Sequence, residues 1–188
     1  FMKMLLGALG YDASREGYTG PNWSINVAKR ALSDGVGLNK DLIGNFNGVK
    51  AVTREEACLY AFNTLKATMV EYDSKTSVTA GNTTVIVSGS KAKDMENKNL
   101  NTDGNIGKKD GLMQFAEKYF IDLKGVPTDD EFMRPATLWK IKAEEIGTYA
   151  KTPDATYTKS VSLGDIYKDL GMTTKDTAAT LYVNGADA

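Results

Sequence analysis

The sequence predicts an α+β chain in two parts: a helical stretch over residues 1–72 and a mixed strand-and-helix region over residues 73–188. Three observations predict it. Apolar residues of the first part recur every three or four positions, the period of a helix face. Thr53 and Glu56 have the spacing of a capping box, the strongest helix-start signal in the chain. Beyond residue 73, β-branched residues gather in short runs beside turn-forming Gly and Asn.

The first predicted helix is the opening run Phe1–Gly10, with Met2, Leu5, Leu6 and Leu9 on one face. No capping residue precedes it, so it reads as a helix already under way. It is too short for a signal peptide and lacks a small-residue cleavage site, so an export signal is expected upstream. The second helix starts near Pro21-Asn22-Trp23 and runs to about Ser33. Trp23, Val27 and Ala31 share a row, with Ile25, Ala28 and Leu32 beside it, and Gly35 supplies a stop. The third runs from Thr53 to about Val70. Val52 and Ala57 hold its staple positions, and Cys58, Phe62, Leu65 and Met69 form a stripe expected to be buried.

Tyr72–Thr76 is polar and suits a linker or the start of a strand. Thr76–Ala80 and Thr83–Val87 flank Gly81-Asn82 and predict a β-hairpin. Ser88–Gly111, dense in Lys, Asn and Gly, reads as a long exposed loop, and Leu112–Phe120 as a short helix. Strand candidates follow at Thr137–Lys142, Ile146–Ala150 and Ala155–Val161. Ser162, with Asp165 at the third helical position, caps a short helix that ends at Gly171, and Ala179–Val183 closes as a strand. Strands, a helix and a strand in that order allow a small grasp-like unit at the C-terminus.

Composition narrows the function. A formal net charge of −1 gives no electrostatic case for nucleic acid or for an anionic membrane surface. No apolar run reaches the roughly 18 residues of a membrane span. The chain has no histidine, which removes the commonest general base and the commonest transition-metal ligand. Its single cysteine, Cys58, leaves no internal disulfide framework and reads as a small core residue without a His partner. Zinc spacings and Gly-rich phosphate loops are missing from the sequence, and no cofactor is expected. Asn101 to Asp110 hints at a calcium loop. Counted from Asn101, however, positions six and twelve are Ile106 and Leu112, where an EF-hand wants Gly and Glu, which favours a solvated loop. Asp129, Asp130 and Glu131 could do acid–base work, but capping of a helix N-terminus is the plainer role.

Asn22–Ala28 on one helix, and Val52-Thr53-Arg54-Glu55-Glu56-Ala57 opening the next, resemble an S-layer-homology repeat. That pattern is a tryptophan-bearing helix, a Gly-containing loop and a second helix opening on Thr-Arg-Ala-Glu. Phe1–Gly10 resembles the end of the same second helix in a preceding repeat, and the texture of the whole chain resembles multi-domain surface proteins of gut Firmicutes. The resemblance implies a secreted, non-enzymatic protein of the cell wall or S-layer. Its partner would be secondary cell-wall polysaccharide, often pyruvylated. By the motif match Arg54 would face the acidic ligand, a role that suits a guanidinium fork at a helix N-terminus. Trp23 would pack the repeat or offer its face to a sugar ring, and its shared row with Val27 and Ala31 favours packing. Thr53 and Glu56 would form the structural cap. Arg54 also reads simply as an exposed first-turn arginine. The sequence departs from the pattern at Glu55, where the motif has alanine, and in Gly35–Lys50, which lacks the usual glycine–aspartate spacing.

Two other functions fit less of the sequence. One is an extracellular carbohydrate- or protein-binding module using the aromatic end around Trp139, Tyr149, Tyr157 and Tyr167. The other is a glycan hydrolase, which needs two carboxylates about 5–10 Å apart.

Overall fold

A computed structural model describes residues 1–73, 76–80, 83–87, 91–151, 155, 157–171, 182–183 and 186–187. Helices and antiparallel sheets together make an α+β fold. The chain forms two compact units, Phe1–Leu123 and Lys124–Ala188.

The first unit is built on α1 (Met2–Ala8), α2 (Trp23–Ala31) and α3 (Arg54–Lys66). Met2, Leu6 and Leu9 are buried as their spacing requires, and Val27 and Ala31 of α2 join the same core. Burying side chains the size of Leu6, Leu9 and Leu38 stabilises by about 1.5–3 kcal/mol each. α2 stops at Ala31, short of Gly35, because the Leu38 amide returns to the Ala31 carbonyl at 2.9 Å. This return carries Leu38 into the core, fully buried.

The character of the sequence changes at residue 72, but the packing does not close there. The short strand β1 (Val70–Glu71) comes first, then a hairpin, β2 (Thr76–Ala80) and β3 (Thr83–Val87), and then β4 (Lys93–Asp94). β1 pairs antiparallel with β4, and the Tyr72 hydroxyl donates to Glu16 Oε1 at 2.8 Å. β2 and β3 pair with Ala80 opposite Thr83, which leaves the two-residue connection that Gly81-Asn82 predicts; those two residues lie outside the described ones.

The expected exposed loop is exposed over most of its described residues, but backbone hydrogen bonds pin it to other segments. Met95 donates to the Met69 carbonyl, Met113 to Met95, and Met69 to Met113, at 2.7–2.8 Å. Three separate segments thus satisfy one another's backbone groups, and Asn97, Thr102 and Ile106 become buried. The short helix α4 (Phe115–Tyr119) follows, with Ala116 and Glu117 buried.

The second unit is a three-stranded antiparallel meander, β5 (Leu123–Asp129), β6 (Pro135–Ile141) and β7 (Glu144–Ala150), followed by α5 (Leu163–Asp169) and a two-stranded pair, β8 (Tyr182–Val183) and β9 (Ala186–Asp187). Trp139 pairs with Gly147 and Lys140 with Glu145, so Ile146 is the extra residue of a β-bulge. Trp139 is buried, and Gly125 makes room for it: a Cβ there would meet the indole at 3.3 Å and Thr137 at 3.1 Å. The Ser162 cap forms as its sequence predicts, accepting the Asp165 amide at 3.2 Å. No strand forms among the described residues of Ala155–Val161. Tyr157 there donates to Asp169 Oδ2 of α5 at 3.1 Å instead. Residues 179–181 of the predicted closing strand lie outside the described ones.

Candidate functional site

The first turn of α3 assembles as its sequence dictates. Thr53 is extended and outside the helix, so its Oγ1 can accept the Glu56 amide at 3.1 Å. Glu56 Oε2 accepts the Thr53 amide at 2.7 Å, which closes the capping box. That backbone hydrogen bond holds the Glu56 carboxyl below its ordinary range. Between them Arg54 is exposed and its guanidinium makes no hydrogen bond or ion pair to any described residue, and Glu55 beside it is exposed too. The turn therefore offers one guanidinium to solvent beside the partial positive charge of unsatisfied helix amides, with Glu55 opposing it.

Trp23 corrects its sequence reading. Although it shares a row with Val27 and Ala31, Trp23 opens α2 and is 47% exposed, whereas those two residues further along are buried. Lys3 Nζ sits 5.5 Å from the centre of the Trp23 ring while donating to the Tyr18 carbonyl at 2.7 Å. A cation–π contact of this kind contributes about 0.5–1 kcal/mol. Trp23 and Arg54 share no hydrogen bond or ring contact; Thr53 and Glu56 are the predicted residues that meet.

The buried face of α3 also differs from the expected stripe. Tyr60, Asn63 and Thr64 are buried, whereas Phe62 and Cys58 are exposed. Asn63 decides this rotation. Its amide donates to the Leu38 and Lys40 carbonyls at 3.0 and 2.8 Å, which ties α3 to the segment returning from α2. Apolar residues lie on both sides of the helix, so a hydrogen bond to a distant segment selects the side. Because Cys58 is exposed, the native protein should react stoichiometrically with a maleimide as fast as it does in denaturant. A buried stripe would predict protection until unfolding.

Sequence reasoning missed a second polar cluster, around Glu117. This carboxylate accepts from Gly104 N and Asn97 Nδ2 at 2.9 Å each, and from Gln114 N at 3.4 Å. Burial pushes its carboxyl up, and the amide hydrogen bonds oppose that shift. The acids of the calcium-like stretch are occupied by protein donors: Asp103 Oδ1 takes the Gly111 amide, and Asp110 takes Leu112 N, Gln114 Nε2 and Lys108 Nζ. Chemically, this arrangement orders the 97–111 segment. A sequence signal was present: Glu117 is the third residue after Gln114, the spacing of a cap.

In the second unit, Asp130 closes the β5–β6 turn and caps no helix. It accepts the Phe132 and Arg134 amides at 2.9 Å and pairs with the Arg134 guanidinium at 2.6–2.7 Å, which holds its carboxyl low. Of the aromatic patch, Trp139 is buried and Tyr149 exposed, with Tyr157 and Tyr167 half-buried, so the four do not form one open surface. No helix among the described residues is long and apolar enough to cross a membrane.

Compared with protein-family models, curated proteins and solved structures, the chain finds no match.

Proposed function

We propose that the chain is part of a non-enzymatic, secreted surface protein that holds to the cell wall through secondary cell-wall polysaccharide. In this reading residues 1–72 are the remnant of an S-layer-homology region, and residues 73–188 act as a spacer or interaction module with a grasp-like unit at the C-terminus. The observation that carries the reading is Arg54: a guanidinium held in the first turn of a capped helix, exposed, and engaged by no described residue. An anionic sugar substituent is the chemistry such a group recognises, by two parallel N–H···O bonds. The exposed Trp23 ring adds an apolar face of the kind that sugars cover.

Co-sedimentation with purified walls tests this. The protein should sediment with intact walls and not with walls stripped of their secondary polysaccharide. Arg54→Ala should lower the apparent affinity about tenfold, the effect of losing hydrogen bonds to a charged group. Sedimentation that survives stripping, or is unchanged in Arg54→Ala, overturns the proposal.

A further inference from the structure

A cleft of about 290 Å³ lies elsewhere in the first unit, lined by Glu16, Tyr18, Asn26, Lys29, Arg30 and Ser33. Its hydrogen bonds are incomplete in a specific way. Tyr18 is 1% exposed, and its hydroxyl makes no hydrogen bond of good geometry, although the Arg30 guanidinium lies close enough to act on its oxygen. A buried hydroxyl left so destabilises the fold unless something enters to pair with it. Glu16 acts on Tyr18 through its charge but accepts no hydrogen bond from it; its oxygens accept from Arg30 at 3.0 Å and from the Tyr72 hydroxyl at 2.8 Å. The Arg30 guanidinium uses one nitrogen in that pair and lies over the Tyr11 ring at 5.2 Å. The Tyr18 proton therefore lacks an acceptor beside a cation with N–H groups to spare. An anionic oxygen satisfies both.

The rest of the lining sets the class of ligand. Asn26 uses one of its two Nδ2 protons on the Gly17 carbonyl, and Ser33 spends its proton on the Arg30 carbonyl. Asn26 Oδ1 and Ser33 Oγ can accept the protons of ligand hydroxyls, and Asn26 keeps one N–H to donate to a ligand oxygen. Lys29 and Arg30 against Glu16 leave one net positive charge, which suits a monoanion better than a phosphate dianion. We propose that this cleft binds a small hydroxylated carboxylate, the class of the uronic and aldonic acids. Its carboxylate sits on Tyr18 and Arg30, and its hydroxyls on Asn26 and Ser33. Burial and the Glu16 charge push the Tyr18 hydroxyl up to about 12, so it remains a donor throughout the neutral range. The inference uses no residue of the Arg54 turn and stands whether or not the chain binds wall polysaccharide.

The test is titration of the full chain with D-glucuronate, glucose and inorganic phosphate, followed by amide chemical shifts. Glucuronate should bind saturably with shifts centred on α2, glucose should not bind, and phosphate should bind more weakly. Tyr18→Phe removes only the unpartnered oxygen, so its unfolding midpoint should equal or exceed that of the parent while glucuronate affinity falls about tenfold. Lys29→Gln, at an exposed position, should weaken glucuronate and leave stability unchanged. Saturable glucuronate binding that is undiminished in both variants overturns the assignment. So does the absence of saturable binding to the parent protein, or binding of glucose as tight as that of glucuronate.

Discussion

Replacing Gly10 by alanine should destabilise the first unit by about 3–5 kcal/mol, combining left-handed strain, overpacking and a lost hydrogen bond. Gly10 has φ +104°, and a Cβ built there lies 2.3 Å from the Val70 carbonyl oxygen. The obstacle is backbone, so no side chain can swing away. The obstacle is also fixed, because Val70 N donates to the Leu9 carbonyl at 2.8 Å. Relief requires α1 to part from β1, and that breaks the contact that brings Leu9 and Val70 into one core. A domain of this size is stable by only about 5–15 kcal/mol, so much of its margin would go. Denaturant unfolding monitored by far-UV circular dichroism reads the effect. Gly7→Ala is the control: nothing lies within 4 Å of the added Cβ and the residue is helical, so it should stabilise by about 0.5–1 kcal/mol. An unchanged midpoint in Gly10→Ala would mean that α1 and β1 do not approach as described.

Glu117→Leu should cost a similar amount, about 3–5 kcal/mol, because three buried or half-buried N–H groups lose a charged acceptor at once. Those donors are Gly104 N, Asn97 Nδ2 and Gln114 N. Protection of the 97–111 amides in hydrogen exchange should fall before that of α1 and α2, since Glu117 holds this segment and not the helices. The variant also tests a pH dependence. Burial raises the folded Glu117 carboxyl above its ordinary value of 4.5, so between the two values the folded state binds the proton more tightly than the unfolded state does. Stability from this group is therefore full at pH below 4.5 and declines as pH rises through the raised folded value. The lowered carboxyls of Asp110 and Asp130 act in the opposite sense: their contribution is present above 3.8 and lost as pH falls through their folded values. Subtracting the Glu117→Leu profile from that of the parent should isolate the first trend. A flat difference would show that burial leaves Glu117 untouched.

Features that nearest neighbours control are legible in the residue pattern. The capping box of Thr53 and Glu56, the Ser162 cap and the 76–87 hairpin each depend on residues within a few positions of one another, and each forms where it was read. The α1 stripe was legible from the spacing of Met2, Leu6 and Leu9, although the exposed Met4 makes a second side of the helix apolar too. Tertiary structure alone decided which side of α3 is buried, since both sides carry apolar residues and the choice rests on Asn63 reaching carbonyls more than twenty positions away. It alone exposed Trp23 and buried Trp139: the same side chain is core or surface according to what packs above it. It alone buried Asn97 and Thr102 within the mostly exposed 91–111 segment, because buried polar groups are tolerated once partners satisfy them, and Glu117 lies twenty positions from Asn97. The Tyr18 cleft belongs with these. Its unpaired hydroxyl is a statement about what surrounds it, and no local pattern of residues carries that information.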